Sequence, residues 1–193
     1  MNGIIKPGTG ILFMKVGVHA QETLEQIIAR KTREIEDAGY AMWGYGGNTC
    51  HPQTMVQPFA KSFEQHGQTI FLCMQEMVSK HYAPPIRADQ FSVNGSEWMD
   101  IHPAINVLGS RFALVIKNLR HEELDLPLAH TQVAIGNSRG RAGSRYISGR
   151  VDKACLEVTD AIGAPLEAEE PQVHIGLVAE LVEPFAVFLK NRT

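Results

Sequence analysis

The chain predicts an α+β fold with a mixed or largely antiparallel sheet, and three observations lead there. Apolar runs of strand length recur along the whole chain. Two amphipathic helical patterns fall in the N-terminal half, and none follows residue 67. Beyond that point β-branched and aromatic residues alternate with turn formers, giving a β-rich C-terminal half. A doubly wound sheet would need helices to go on alternating with strands. At 193 residues and 44% hydrophobic content, residues 1–193 fit a single globular domain.

The elements follow in order. Ile11 to Val18 reads as a buried strand. Thr23 with Gln26 makes a capping box for the first helix. Leu24, Ile27, Ile28, Ile35 and Ala38 form its apolar face. Arg30, Lys31, Arg33, Glu34 and Asp37 are expected mostly on the outer face, with Arg30–Glu34 and Arg33–Asp37 paired four residues apart. Gly39 is a stop, and Tyr40 to Trp43 re-enters as a short strand. Thr54 and Gln57 repeat the capping pattern for a second helix, with Val56, Phe59, Ala60 and Phe63 facing inward. That start places Pro58 in the first turn, where proline is tolerated, and Gly67 ends the helix.

Thr69 to Met77 is a buried strand. Asn94-Gly95, flanked by Phe91, Val93, Trp98 and Ile101, suits a type I′ hairpin. Arg111–Lys117, His130–Ile135, Tyr146-Ile147 and Val151–Val158 are further strand candidates. Val173 to Leu189 reads as two short strands broken at Glu183-Pro184 rather than as a kinked helix, because valine and phenylalanine are frequent.

Composition narrows the function. A net charge of −3 and a pI near 6.2 steer nothing toward nucleic acid or an anionic membrane, so any anion site must be local. Cys50, Cys73 and Cys155 lie far apart and form no CxxC, which removes zinc-ribbon and thioredoxin-like motifs. The N-terminus lacks signal-peptide features and no run of about 18 apolar residues occurs. A cytoplasmic protein with reduced thiols and no membrane partner is expected. The oligomeric state stays open.

Two segments carry the chemistry. The first is Trp43-Gly44-Tyr45-Gly46-Gly47-Asn48-Thr49-Cys50-His51-Pro52. Its glycines permit close approach of a ligand to backbone. Trp43 and Tyr45 offer rings, and Asn48 offers hydrogen bonds. A helix N-terminus follows, which favours an anion. The GxxxxGK[ST] phosphate loop is absent. The second segment, Asn137 to Arg150, carries Arg139, Arg141, Arg145 and Arg150 among glycines and serines with no acid. It reads as a β-hairpin tip whose guanidinium forks suit phosphate.

Together these imply a protein that binds, or acts on, a nucleotide or other phosphorylated small molecule. Trp43, Tyr45, Gly46, Gly47 and Asn48 would recognise the planar part, and Arg139, Arg141 and Arg145 the charge. His51 is the candidate for proton transfer. Cys50 beside it reads as a partly buried thiol without chemistry, because neighbours in sequence often point apart. His19 and His51 are placed to share a pocket, but no metal-ligand spacing occurs among the eight histidines, and no metal or cofactor is assigned. Asp89, Glu97, Asp100 and Asp125 show no paired-carboxylate spacing.

A nucleic-acid-binding module using the same two loops is one alternative. A non-enzymatic protein-interaction subunit is another. His19, the Gly44-Tyr45-Gly46-Gly47 run and the following helix and buried strand are remotely similar to the front half of ADP-ribosyltransferase folds. That resemblance covers under half the chain and implies an NAD-using transferase as a third alternative, although the later glutamate of such folds does not stand out. His130-Thr131 and His174-Ile175-Gly176-Leu177 are faintly similar to paired phosphodiesterase histidine motifs, without the second hydroxyl. That reading requires the two histidines to face each other.

Overall fold

The computed structural model describes residues 3–46, 51–78, 83–147, 151–161 and 170–191. Its elements are β1 (Gly10–Val16), α1 (Leu24–Ala38), β2 (Ala41–Tyr45), α2 (Gln53–Glu64), β3 (Ile70–Glu76), β4 (Gln90–Ser92), β5 (Met99–Asp100), β6 (Phe112–Pro127), β7 (Thr131–Val133), α3 (Gly143–Tyr146), β8 (Lys153–Val158) and β9 (Gln172–Lys190). The main path through the sheet is β2-β6-β9-β3-β1-β8-β7, with β4 on β9 and β5 on β4. β1 and β3 pair in parallel. The other pairs are antiparallel. This is the α+β architecture with a mixed sheet and a β-rich second half. Among the described residues no helix is long and apolar enough to cross a membrane.

α1 forms as its caps dictate. Thr23 Oγ1 accepts from the Gln26 amide at 3.2 Å, and Gln26 Oε1 accepts from the Thr23 amide at 2.9 Å. Gly39, at φ 84°, closes the other end. α2 departs from expectation. It begins at Gln53 with Pro52 as its cap residue, so Thr54 lies within the helix and no side-chain cap forms. Pro58 is therefore past the first turn, where it removes one backbone hydrogen bond. Its ring is exposed.

Both helices cover one face of the sheet. Phe59 and Phe63 of α2 and Ile27 of α1 join Leu12, Met14, Leu72, Trp43 and Tyr45 in one core. On the opposite face two further clusters form. Ile11, Phe13, Leu156 and Ile175 belong to one, and Met42, Ile105, Val115 and Val187 to the other.

The sheet is strongly curled. In hydrogen-bonding order β2 and β8 are five steps apart, which in a flat sheet is about 24 Å. Yet Lys153 Nζ of β8 lies 5.6 Å from the centre of the Tyr45 ring of β2. The bending is built into β6 and β9, whose register slips between Leu114 and Ile116, between Lys117 and Arg120, and between His121 and Leu124. The two slips past Lys117 each set two residues of β6 against one of β9, a bulge that raises local twist, and the first sets Val115 against residues 182–185 of β9.

Several expected elements are corrected. Val173–Leu189 is not two strands but the greater part of one, β9. Pro184 falls between Leu181 and Ala186, where the ladder with β6 is interrupted and no amide is required of it. β6 runs ten residues past Lys117, because its second half alternates solvent-facing charge with buried Leu124 and Leu126. Asn94-Gly95 is not a two-residue turn. Among the described non-glycine residues at positive φ, Asn94 does not appear, and its Oδ1 accepts from the amides of Ser96 and Glu97, building a longer connection between β4 and β5. Tyr146 ends α3 rather than forming a strand.

Core packing and capping should separate in size. Phe59→Ala is expected to cost about 3–5 kcal/mol, and Thr23→Ala about 1 kcal/mol. Urea denaturation of the two variants against the parent protein measures both.

Candidate functional site

A cavity of about 370 Å³ lies where β1 ends, between α1, β2 and the segment 107–110. Strand alternation decides which side chains enter it. Ala41, Trp43 and Tyr45 of β2 point to the helix-covered face. Lys153 pairs with Met14 across the β1–β8 ladder and shares that face. Lys15 and Asp152 also border the cavity. Lys15 sits between Met14 and Val16, so its side chain takes the other face.

Trp43 and Tyr45 line the cavity yet are 5% and 4% exposed. The Tyr45 ring packs on Phe112 at 5.4 Å, and the Lys153 ammonium sits over it. The two rings thus form wall rather than open platform. Gly44 between them is required by crowding. A Cβ there would lie 2.3 Å from Ser110 Oγ and 2.8 Å from Val107 Cγ1.

α1 closes one side. Lys31 and Glu34, expected on its outer face, are each 2% exposed. They face the segment 101–110, which covers that side of the helix. Lys31 Nζ donates to both Glu34 carboxylate oxygens at 3.0 and 3.1 Å and to the Asn106 carbonyl at 2.9 Å. Glu34 Oε1 accepts from the Asn106 amide at 3.0 Å. Arg30 pairs with Glu22, reaches Glu34 at 3.4 Å as expected, and donates to the same Asn106 carbonyl. Burial pulls the Lys31 ammonium down to about 8, against the opposing pull of Glu34. Arg30 and Lys31 both line the cavity.

A tight turn brings in His19. Ala20 and Gln21 have φ of 48° and 66°, and His19 and Glu22 exchange backbone hydrogen bonds across them. Two non-glycine residues in the left-handed region cost about 1–2 kcal/mol each. The turn places His19 Nε2 3.2 Å from both Ser110 Oγ and the Leu108 carbonyl, on the cavity wall. It also aims Glu22 at Arg30.

The other expected residues fall differently. Gly46 lines the cavity, while Gly47, Asn48 and Cys50 lie outside the described residues, as does Arg150. His51 is buried behind the wall, 6.4 Å from the Tyr146 ring, and is not a lining residue. Burial, and then the charge of Lys153, hold its imidazole below the ordinary value and favour the uncharged ring. Arg139, Arg141 and Arg145 do not line the cavity. They are exposed, on a segment that is no hairpin tip. That segment folds back on β7, with the Val133 amide bonding to the Arg141 carbonyl at 2.8 Å, and then enters α3. The two sequence segments are neighbours through the His51–Tyr146 contact, but the arginines and the indole do not meet in one cavity.

His130 and His174 do not pair. His130 is buried, whereas His174 is exposed on β9 between Glu123 and Asp125 of β6, whose hydrogen bonds raise its pKa. Among the described residues no group of three or more His, Cys, Asp or Glu side chains is arranged to hold a metal ion.

Lys31, Lys153 and Ser110 were not singled out from sequence. A signal existed for Lys31, because Ile27, Lys31, Glu34 and Ala38 share one helical stripe. The chain matches no protein-family model, and comparison with characterised proteins and with solved structures gives no match either.

Glu34→Gln should cost about 3–5 kcal/mol, because a buried ammonium loses its carboxylate. The folded Lys31 releases its proton near pH 8 and an unfolded lysine near 10.5. Between these values the unfolded chain binds more protons, so this group makes stability rise with pH. Below pH 8 both states are charged and its contribution is constant. Urea titrations across the window should show that rise in the parent protein and lose it in Lys31→Met.

Proposed function

We propose that the protein binds a nucleotide or other phosphorylated small molecule in the cavity between β1, α1 and β2. The charge of the lining carries this reading. Arg30, Lys31 and Lys153 line the cavity beside His19, in a chain of net charge −3. Glu22 and Glu34 already offset Arg30 and Lys31. Lys153 is assigned the phosphate because its ammonium lies on the cavity wall over the Tyr45 ring, where it acts as a point charge.

Size and placement support the same reading. The cavity falls within the few-hundred-Å³ range of small-molecule sites. It lies beyond the carboxyl end of β1, one of the two parallel strands, where ligands of open α/β sheets commonly sit. Trp43 and Tyr45 supply an apolar wall for a planar group. His19, whose imidazole is hydrogen-bonded on that wall, takes the proton-transfer role that the sequence suggested for His51.

Isothermal titration with nucleoside mono- and diphosphates, sugar phosphates and NAD tests the proposal. At least one should bind, and Lys153→Gln should weaken it about 10- to 100-fold, as expected for a lost hydrogen bond to a charged group. Circular dichroism confirms that the variant is folded. If no compound in the panel binds, or if the variant binds as the parent does, the proposal is wrong.

A further inference from the structure

We infer that Ser110 and His19 form a nucleophile–base pair that hydrolyses small carboxylic esters held in the cavity. This rests on the cavity as a ligand site and names the group that gives His19 its proton. It does not depend on what Lys153 holds. Both side chains line the cavity, and neither residue is buried. His19 Nε2 lies 3.2 Å from Ser110 Oγ, the contact a base needs to activate a hydroxyl.

Local features hold the two together across 91 positions of sequence. His19 is set by the left-handed pair Ala20-Gln21. Backbone of that kind persists only where its surroundings fix it, most often at functional sites. Gly44 leaves room for the hydroxyl, since a Cβ there would collide with Ser110 Oγ. The backbone of Ser110 is fastened on both sides. The Gly109 amide donates to the Ile86 carbonyl at 2.9 Å, and the Arg111 amide to the Tyr45 carbonyl at 3.2 Å. A nucleophile and base fixed before the substrate arrives need no reordering on the way to the transition state.

The Leu108 carbonyl governs where the protons lie. It accepts from Ser110 Oγ at 2.9 Å and sits 3.2 Å from His19 Nε2. With the ring proton on Nε2, ring and hydroxyl both donate to that carbonyl and the pair is at rest. With it on Nδ1, the hydroxyl turns to Nε2 and is activated. Ser110 Oγ then bonds to the ester carbonyl carbon while its proton passes to Nε2. The bond to the alkoxy oxygen breaks, and that oxygen takes the proton and departs as the alcohol. Water, giving a proton to the same nitrogen, attacks the acyl-serine. The carboxylic acid leaves and the proton returns to Ser110. Arg30, Lys31 and Lys153 on the lining favour the oxyanion of each tetrahedral intermediate. Val16, Ile27, Trp43 and Val107 offer the acyl group an apolar wall.

An alkyl fluorophosphonate, whose phosphorus takes the serine oxygen as fluoride leaves, tests the nucleophile in the intact protein. Peptide mass spectrometry should find the adduct on Ser110 of the folded chain, and none there after denaturation in urea. Hydrolysis of p-nitrophenyl butyrate, followed by absorbance, should fall about 100-fold or more in Ser110→Ala and in His19→Gln. Circular dichroism confirms that each variant is folded, and labelling of the parent protein decides the matter should either fail to fold. Ser110 left unmodified, an adduct on other residues alone, or unchanged hydrolysis in the folded variants overturns the inference. If phosphorylated compounds bind while Ser110 stays unreactive, this inference fails and the proposed ligand class stands. If Ser110 reacts and none of those compounds binds, the ester hydrolysis stands and the phosphate assignment fails.

Discussion

The long antiparallel pair of β6 and β9 is the constraint on which the remaining structure depends. Two strands of 16 and 19 residues cannot stay flat, because each right-handed strand twists relative to its neighbour. Three register slips concentrate that twist. The sheet margin at β2 is thereby carried toward β8, and residues that flat pairing would hold far apart share one core. The helices occupy the concavity this produces. The cavity lies at its end, past the last residues of β1.

A second constraint is charge taken out of water. Arg30, Lys31 and Glu34 converge on the single peptide unit of Asn106, with donors on its carbonyl and an acceptor on its amide. An ion pair buried this deeply adds little net stability, since desolvation consumes most of the attraction. What it supplies is position. The segment 107–110, one wall of the cavity, is fastened to α1 through directional bonds. Greasy contacts would allow it to slide. The left-handed turn at Ala20-Gln21 acts alongside, setting Glu22 against Arg30 and His19 against Ser110.

Much of the fold was legible in sequence, and the failures have physical causes. Capping and glycine signals located α1 because they act within a few residues. The apolar strands β1, β3 and β8 were plain for the same local reason. The second half of β6 was hidden because a strand with one wet face carries charges such as Arg120, Glu122 and Glu123. Pro184 reads as a break until it is known that residues 182–185 of its own strand stand opposite the single residue Val115 of β6. In the site, Trp43, Tyr45 and Gly46 were found through their unusual density, and His19 was paired with the glycine-rich segment. Lys31 and Lys153 were missed because a lysine in a helix or at a strand end ordinarily reaches water. Only the covering segment and the curled sheet bring those two inward. Sequence also gives no distance between residues a hundred positions apart, so the arginines were assigned to a cleft they do not line.

The way residues 136–142 close on β7 has a consequence of another kind. β7 is a three-residue strand at the margin of the sheet, and such margins invite edge-to-edge pairing with other molecules. Here the Val133 amide and carbonyl are already engaged by Arg141 and Gly140, and Gln132 bridges to Ala142. The chain occupies its own docking rail, and like charges posted along it repel a second copy. A deletion in this stretch would strip both guards at once. Its first symptom would be colloidal, with molecules adhering through the bared margin while the curled core behind them remained folded.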